Sequence, residues 1–252
     1  MSVFRQCHPV LKTAILLSGW LGCLPAWSLD ERLRDLSGRV EYAFYAEDSR
    51  ALQRDLQALA ALEINDDSAV LQQNQLDYGR WKLVQLQSQI SSVQAQQLAE
   101  DCVDSKLPAK STGTTAALHF ALHAACLSEL AQLRPVRSLL YRRERDSAFS
   151  QALKLDARSI QVRLVGAWLK YSNKEPLDSA ELKTLVAAYD KAASGELTDN
   201  LLWGQAEACF LLGQAEIAKG NVLAARNALE RAILLAPEYP AAQALLRSLT
   251  VK

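Results

Sequence analysis

Residues 206–237 read Ala206-Glu207-Ala208-Cys209-Phe210-Leu211-Leu212-Gly213-Gln214-Ala215, then Glu216-Ile217-Ala218-Lys219-Gly220-Asn221, then Val222-Leu223-Ala224-Ala225-Arg226-Asn227-Ala228-Leu229-Glu230-Arg231-Ala232-Ile233-Leu234-Leu235-Ala236-Pro237. Apolar residues recur at helical spacing on both sides of Lys219-Gly220-Asn221, which predicts two helices joined by a tight turn. Gly220 suits a left-handed turn conformation, and Asn221 stands where the second helix needs a cap. Gly213 removes a side chain where the helices face each other, Ala225 and Ala232 are small where they cross, and Pro237 ends the second helix.

Working back from this hairpin, the chain breaks from Asp30 onward into helical segments of about 12 to 20 residues, separated by short polar or Pro/Gly stops. Asp30 to Ala46 pairs with a helix carrying Leu52, Leu56, Leu59 and Leu62, with Glu47-Asp48-Ser49 between them. Asn65-Asp66-Asp67-Ser68 caps a third helix and Ser91-Ser92 a fourth. Leu107-Pro108 to Gly113 cannot continue a helix; Thr114 or Thr115 opens the next, which stops before Pro135. Val136 to Leu155, Ala157 to Tyr171, Ser179 to Ala193, Asn200 to Lys219, Asn221 to Leu235 and Tyr239 to Leu249 complete the order. The expected fold is all-α, with residues 29–252 forming one α-solenoid of about five antiparallel helix pairs plus a C-terminal capping helix.

Composition agrees and narrows the partners. Half of the 252 residues are hydrophobic, only 10 are Gly and 7 Pro, and period-two runs of Val, Ile or Thr are absent. Lys plus Arg and Asp plus Glu are both 28, so there is no electrostatic footprint for nucleic acid.

The N-terminus reads as an export signal. Arg5 and Lys12 supply the positive start, Thr13 to Leu29 is free of charge, and Leu24-Pro25-Ala26-Trp27-Ser28 ends the run with small residues. Cleavage after Ser28 is expected. The alternative, a retained anchor, would need about 20 mostly apolar residues, and Ser18, Gly19, Gly22 and Pro25 interrupt this run. Acylation at Cys23 fits poorly because Trp20 and Leu21 precede it. Loss of residues 1–28 removes Arg5 and Lys12 and no acid, leaving 28 − 2 = 26 basic against 28 acidic residues. No stable membrane insertion is expected after cleavage, and the expected location is the periplasm, an oxidising compartment.

The hairpin resembles a tetratricopeptide repeat, with its best match over 206–239. Leu212-Gly213, the Gly220-Asn221 turn, the paired Ala positions and Pro237 carry the likeness; Cys209 stands where the repeat usually has Trp. Earlier hairpins keep the helix lengths without the motif, as in exported bacterial proteins with degenerate repeats. The resemblance implies a concave groove lined by the first helix of each pair. In the last repeat that groove would present Glu207, Phe210 and Gln214 to a protein or peptide partner. Lys and Asn residues of the carboxylate-clamp subgroup are missing at these places.

Chemistry-bearing clusters are few. His119, His123 and Cys126 share one helical face at i, i+4 and i+7, and Cys102 on the preceding helix is placed about level with His119. Two His and two Cys could hold zinc, yet Leu118, Phe120, Leu122 and Leu127 interleave them as an ordinary core would. A Cys102–Cys126 bridge is disfavoured because the axial offset looks larger than the roughly 7 Å a disulfide spans. Only one disulfide can form among Cys102, Cys126 and Cys209. No nucleophile stands with a base, and no phosphate loop or dinucleotide-binding glycine motif is present. The carboxylates read as caps and solvated helix faces, Arg137, Arg142, Arg143 and Arg145 as a short basic face, and Trp81, Trp168 and Trp203 as inter-helix packing.

These readings point to a non-enzymatic scaffold or adaptor of the cell envelope that needs no cofactor. The alternative is a small-molecule or metal carrier using the groove or the His119/His123/Cys126 face. Mass spectrometry of the exported protein is expected to find Leu29 as the mature N-terminus; a chain retaining residues 1–28 would instead establish an anchor.

Overall fold

The computed structural model describes residues 29–63, 68–109, 111, 113–196 and 201–250. The expected signal sequence and the caps at Asn65, Asp66 and Asp67 lie outside them. Every described element is helical: α1 (Leu29–Tyr45), α2 (Ser49–Ala60), α3 (Ala69–Gln85), α4 (Ser92–Val103), α5 (Gly113–Leu133), α6 (Ser138–Asp156), α7 (Ile160–Ser172), α8 (Ser179–Lys191), α9 (Gln205–Ala218), α10 (Val222–Leu235) and α11 (Pro240–Thr250). One 3-10 turn, Pro135–Arg137, enters α6, and one π turn, Ala192–Glu196, leaves α8.

Local chemistry sets the boundaries. The Asp48 carboxylate accepts from the Arg50 and Ala51 N–H groups, Ser91 Oγ accepts from Gln94 N–H, and Asp178 accepts from Ala180 N–H, so each opens a helix by satisfying its free donors. Gly220 has φ +75°, as its turn requires. Asn221 occupies the cap position of α10, but its side-chain amide donates to Glu216 Oε2 at 2.7 Å instead of capping. The helix expected from Asn200 begins only at Gln205. Gly204 stands before it at φ +89°, and its N–H is spent on Glu41 rather than on a helical carbonyl.

Each helix packs on the next, and the odd-numbered helices also touch in series: α1 on α3, α3 on α5, α5 on α7 and α7 on α9. Sequence explains which helices go inside. α3, α5 and α9 are buried nearly all round, whereas α2, α4, α8 and α10 each bury a single stripe, such as Leu52, Leu56 and Leu59 of α2. One hydrophobic core runs from Leu33 of α1 to Ala242 of α11.

The α9–α10 contact follows the reading of Gly213. A Cβ there would meet Leu229 Cγ at 2.7 Å, and Ala225 and Ala232 are fully buried at the same crossing. Replacing Gly213 by Val is therefore expected to cost about 1–3 kcal/mol through overpacking. Chemical denaturation checks it, and an unchanged midpoint would show that the helices slide apart freely.

Candidate functional site

The inner helices bring together a polar centre that lies outside any local stretch of sequence. Lys82 of α3 and Glu207 of α9 are both fully buried, with Lys82 Nζ 2.5 Å from Glu207 Oε2. Tyr78 donates its hydroxyl to Glu207 Oε1 at 3.2 Å. Four rings surround the ammonium: Trp81 at 3.7 Å, Phe44 at 4.7 Å, Trp168 at 4.8 Å and Tyr78 at 5.5 Å from their centroids. Their faces stabilise a cation that has lost its water. Burial still pulls the Lys82 pKa down, with Glu207 opposing it.

Glu207 and Phe210 therefore do not face an open groove. Phe210, 4% exposed, lies parallel to Trp168 at 6.2 Å and packs against Tyr239 at 5.5 Å. Gln214 is half-buried and donates to the Tyr171 hydroxyl at 3.3 Å. The side of α9 expected to be concave and free is filled by α3 and by aromatic side chains. Trp81, Trp168 and Trp203 do pack between helices, and the cation that two of them enclose is the chain's own.

Two further glutamates depart from the expectation of solvated carboxylates. Glu129 of α5, 7% exposed, accepts from Trp81 Nε1 at 3.3 Å, and burial pushes its pKa up to about 7. Glu41 of α1 accepts from the Tyr45 hydroxyl at 2.9 Å and from Gly204 N–H at 2.7 Å. Its pKa is also pushed up to about 7, by burial above all, with those two donors opposing. Glu41 thereby ties the first helix to the segment that enters α9.

Next to this tie a cleft of about 560 Å³ remains open. Gly38, Glu41, Tyr42 and Tyr45 form one wall; Tyr189, Ala192 and Ala193, Leu202 and Trp203, Gln205 and Ala206, and Leu235 to Glu238 contribute the rest. The Tyr189 hydroxyl donates to the Trp203 carbonyl at 2.7 Å, which fixes the floor. Burial holds the phenols of Tyr45 and Tyr189 well above their ordinary pKa, so both stay protonated.

The metal candidates separate. Cys102 and Cys126 are joined in a disulfide, their Cα atoms 6.2 Å apart. The expected offset was misjudged because the register of α4 on α5 differs from the level pairing of Cys102 with His119 that was read from the sequence. Cys102 thus lies level with the Leu122 turn, 3.9 Å from the Leu122 carbonyl, rather than with His119. Cys126 then has no thiolate to offer a metal. His119, whose pKa burial lowers to about 4, stands neutral with Nδ1 3.8 Å from Asp77, and burial lowers His123 as well. No group of three or more His, Cys, Asp or Glu able to hold a metal ion occurs among the described residues. Cys209 is buried and free, its thiol pushed up to about 11 by burial.

No family model, curated protein or solved structure matches the chain.

The raised carboxyl of Glu129 carries a sign. A group that holds its proton more tightly when folded stabilises the fold below its unfolded pKa and loses that contribution as pH rises through the folded one. The window runs from 4.5 to about 7. Unfolding free energy is expected to fall across it, and Glu129→Gln to remove part of the slope; identical urea-melt profiles for the two proteins would contradict the assignment.

Proposed function

We propose that this protein is an exported, non-enzymatic interaction scaffold of the cell envelope, built as a tetratricopeptide-like solenoid with one well-formed repeat and degenerate pairs before it. The serial contact of the odd-numbered helices, each hairpin packing on its neighbours, supports the solenoid reading. The disulfide between Cys102 and Cys126 agrees with an oxidising location. No described helix is long and apolar enough to cross a membrane.

The observation that carries the binding role is the cleft beside Glu41. Its walls are mostly apolar and aromatic, and its size falls within the roughly 300–1,000 Å³ of binding pockets. Among the described residues its charged lining residues are Glu41 and Glu238, and the exposed Glu238 gives it a negative sign. That sign fits an extended partner segment in which Lys or Arg stands among apolar residues, with the exposed Tyr42 ring available to the cation. A non-enzymatic role is supported by the state of its polar groups. The tyrosines stay protonated, and the Glu41 carboxyl already accepts two hydrogen bonds.

The size of the cleft also favours a second reading, a small-molecule carrier occupying the same place. A photo-reactive residue in place of Tyr42, activated in intact envelopes, is expected to trap a discrete protein, while one in place of exposed Gln57 on α2 does not. If Tyr42 traps no protein and native mass spectrometry finds a small ligand, the carrier reading replaces the scaffold.

A further inference from the structure

The corner where α5 turns into α6 carries an apolar tip beside a cationic groove. Val136 is 100% exposed, Leu139 73% and Leu140 52%. At helical spacing these three form one face with Arg143, and Arg142 follows Leu139 by one turn. Arg137, Arg142 and Arg143 are exposed and have no ion-pair partner among the described residues. Nearby acids are already engaged: Glu100 with Arg134 at 2.6 Å, and Asp146 with Arg145 at 2.7 Å. Glu144 is exposed on the same helix and acts on His123 of α5.

Against this tip lies a polar groove of about 440 Å³, lined by Arg142, Arg145 and Lys174 with Ser128 and Asn173, and with Glu175 as its one acid. Arg145 is held in place by a hydrogen bond to Asn173 Oδ1 at 3.0 Å. The tip is also firmly mounted, since α6 packs along α5. Of α6 only Tyr141 and Ala152 are buried, and Leu139 and Leu140 stay outside together with Val136 of the preceding turn. Exposed apolar patches mark protein or membrane contacts, and exposed arginines beside this one favour an anionic lipid surface.

We propose that this corner docks the protein on an anionic phospholipid bilayer. Val136, Leu139 and Leu140 enter the boundary between headgroups and acyl chains. Arg137, Arg142 and Arg143 meet lipid phosphates, and the groove admits one headgroup. Contact of this kind is interfacial and needs no spanning helix.

Vesicle flotation tests it, using the full chain and comparing phosphatidylcholine vesicles with vesicles that also contain phosphatidylglycerol. Residues 1–28 are common to all variants, so the readout is the difference between variants. Strong partitioning is expected only with phosphatidylglycerol, weakening as salt rises. Arg142→Gln with Arg143→Gln should lower it roughly thirtyfold, from about 1 kcal/mol of headgroup attraction per arginine. The triple change Val136→Ser, Leu139→Ser and Leu140→Ser should lower it too, and unchanged melting temperatures would show both variants folded. Equal binding to both vesicle types, or wild-type binding by either variant, overturns the proposal. Loss in the arginine variant with full binding by the serine variant also overturns it, leaving an anion site without insertion. Absence of all partitioning overturns it as well.

Discussion

An ammonium and a carboxylate with no access to water hold this molecule in register. Removing two such ions from solvent costs several kcal/mol each, which their attraction recovers only in good geometry with the remaining polar atoms satisfied. Here Glu207 receives both Lys82 and the Tyr78 hydroxyl, and the ammonium rests among four aromatic rings. Apolar residues of similar volume could fill the same space. The ion pair instead fixes which turn of α3 meets which turn of α9, elements 125 residues apart in sequence.

That constraint decides where a partner can bind. With Lys82 and Tyr78 of α3 bonded to Glu207 of α9, the side of the inner helices that an open helical array would present is occupied by Trp81, Trp168, Phe210 and Tyr239. Glu41 then reaches Gly204, and Tyr45 reaches Tyr239 at 5.0 Å, so α1 meets the C-terminal hairpin. What stays open is the seam between these ends, and it is a cleft of aromatic and acidic character. The proposed binding function therefore belongs to the seam, with the proposed bilayer contact on α6, a separate element.

Several features were legible residue by residue. The stripe of Leu52, Leu56 and Leu59, the Asp48 and Ser91 caps and the stop at Pro135 each act over one or two turns, and the structure places them as read. Gly213 and Gly220 were legible for the same reason. The Cys102–Cys126 bridge was misread because it depends on the register of α4 on α5, which no periodicity within either helix reveals. Lys82 and Glu207 did leave a trace. The trace is faint, because α3 also carries Asp77 and Arg80 and α9 also carries Glu216, so nothing local sets apart the two charges that must meet.

The sequence by itself determined that the chain is helical and where most helices start and stop, because those properties arise from hydrogen bonds and side-chain spacing within a few residues. Only the tertiary structure decided which inner helices meet, that Glu207 and Phe210 are buried, that Cys126 is bonded, and where a cleft remains. These outcomes depend on distances between residues far apart in the chain, and such distances are set when all the packed faces and the buried charges must be satisfied together.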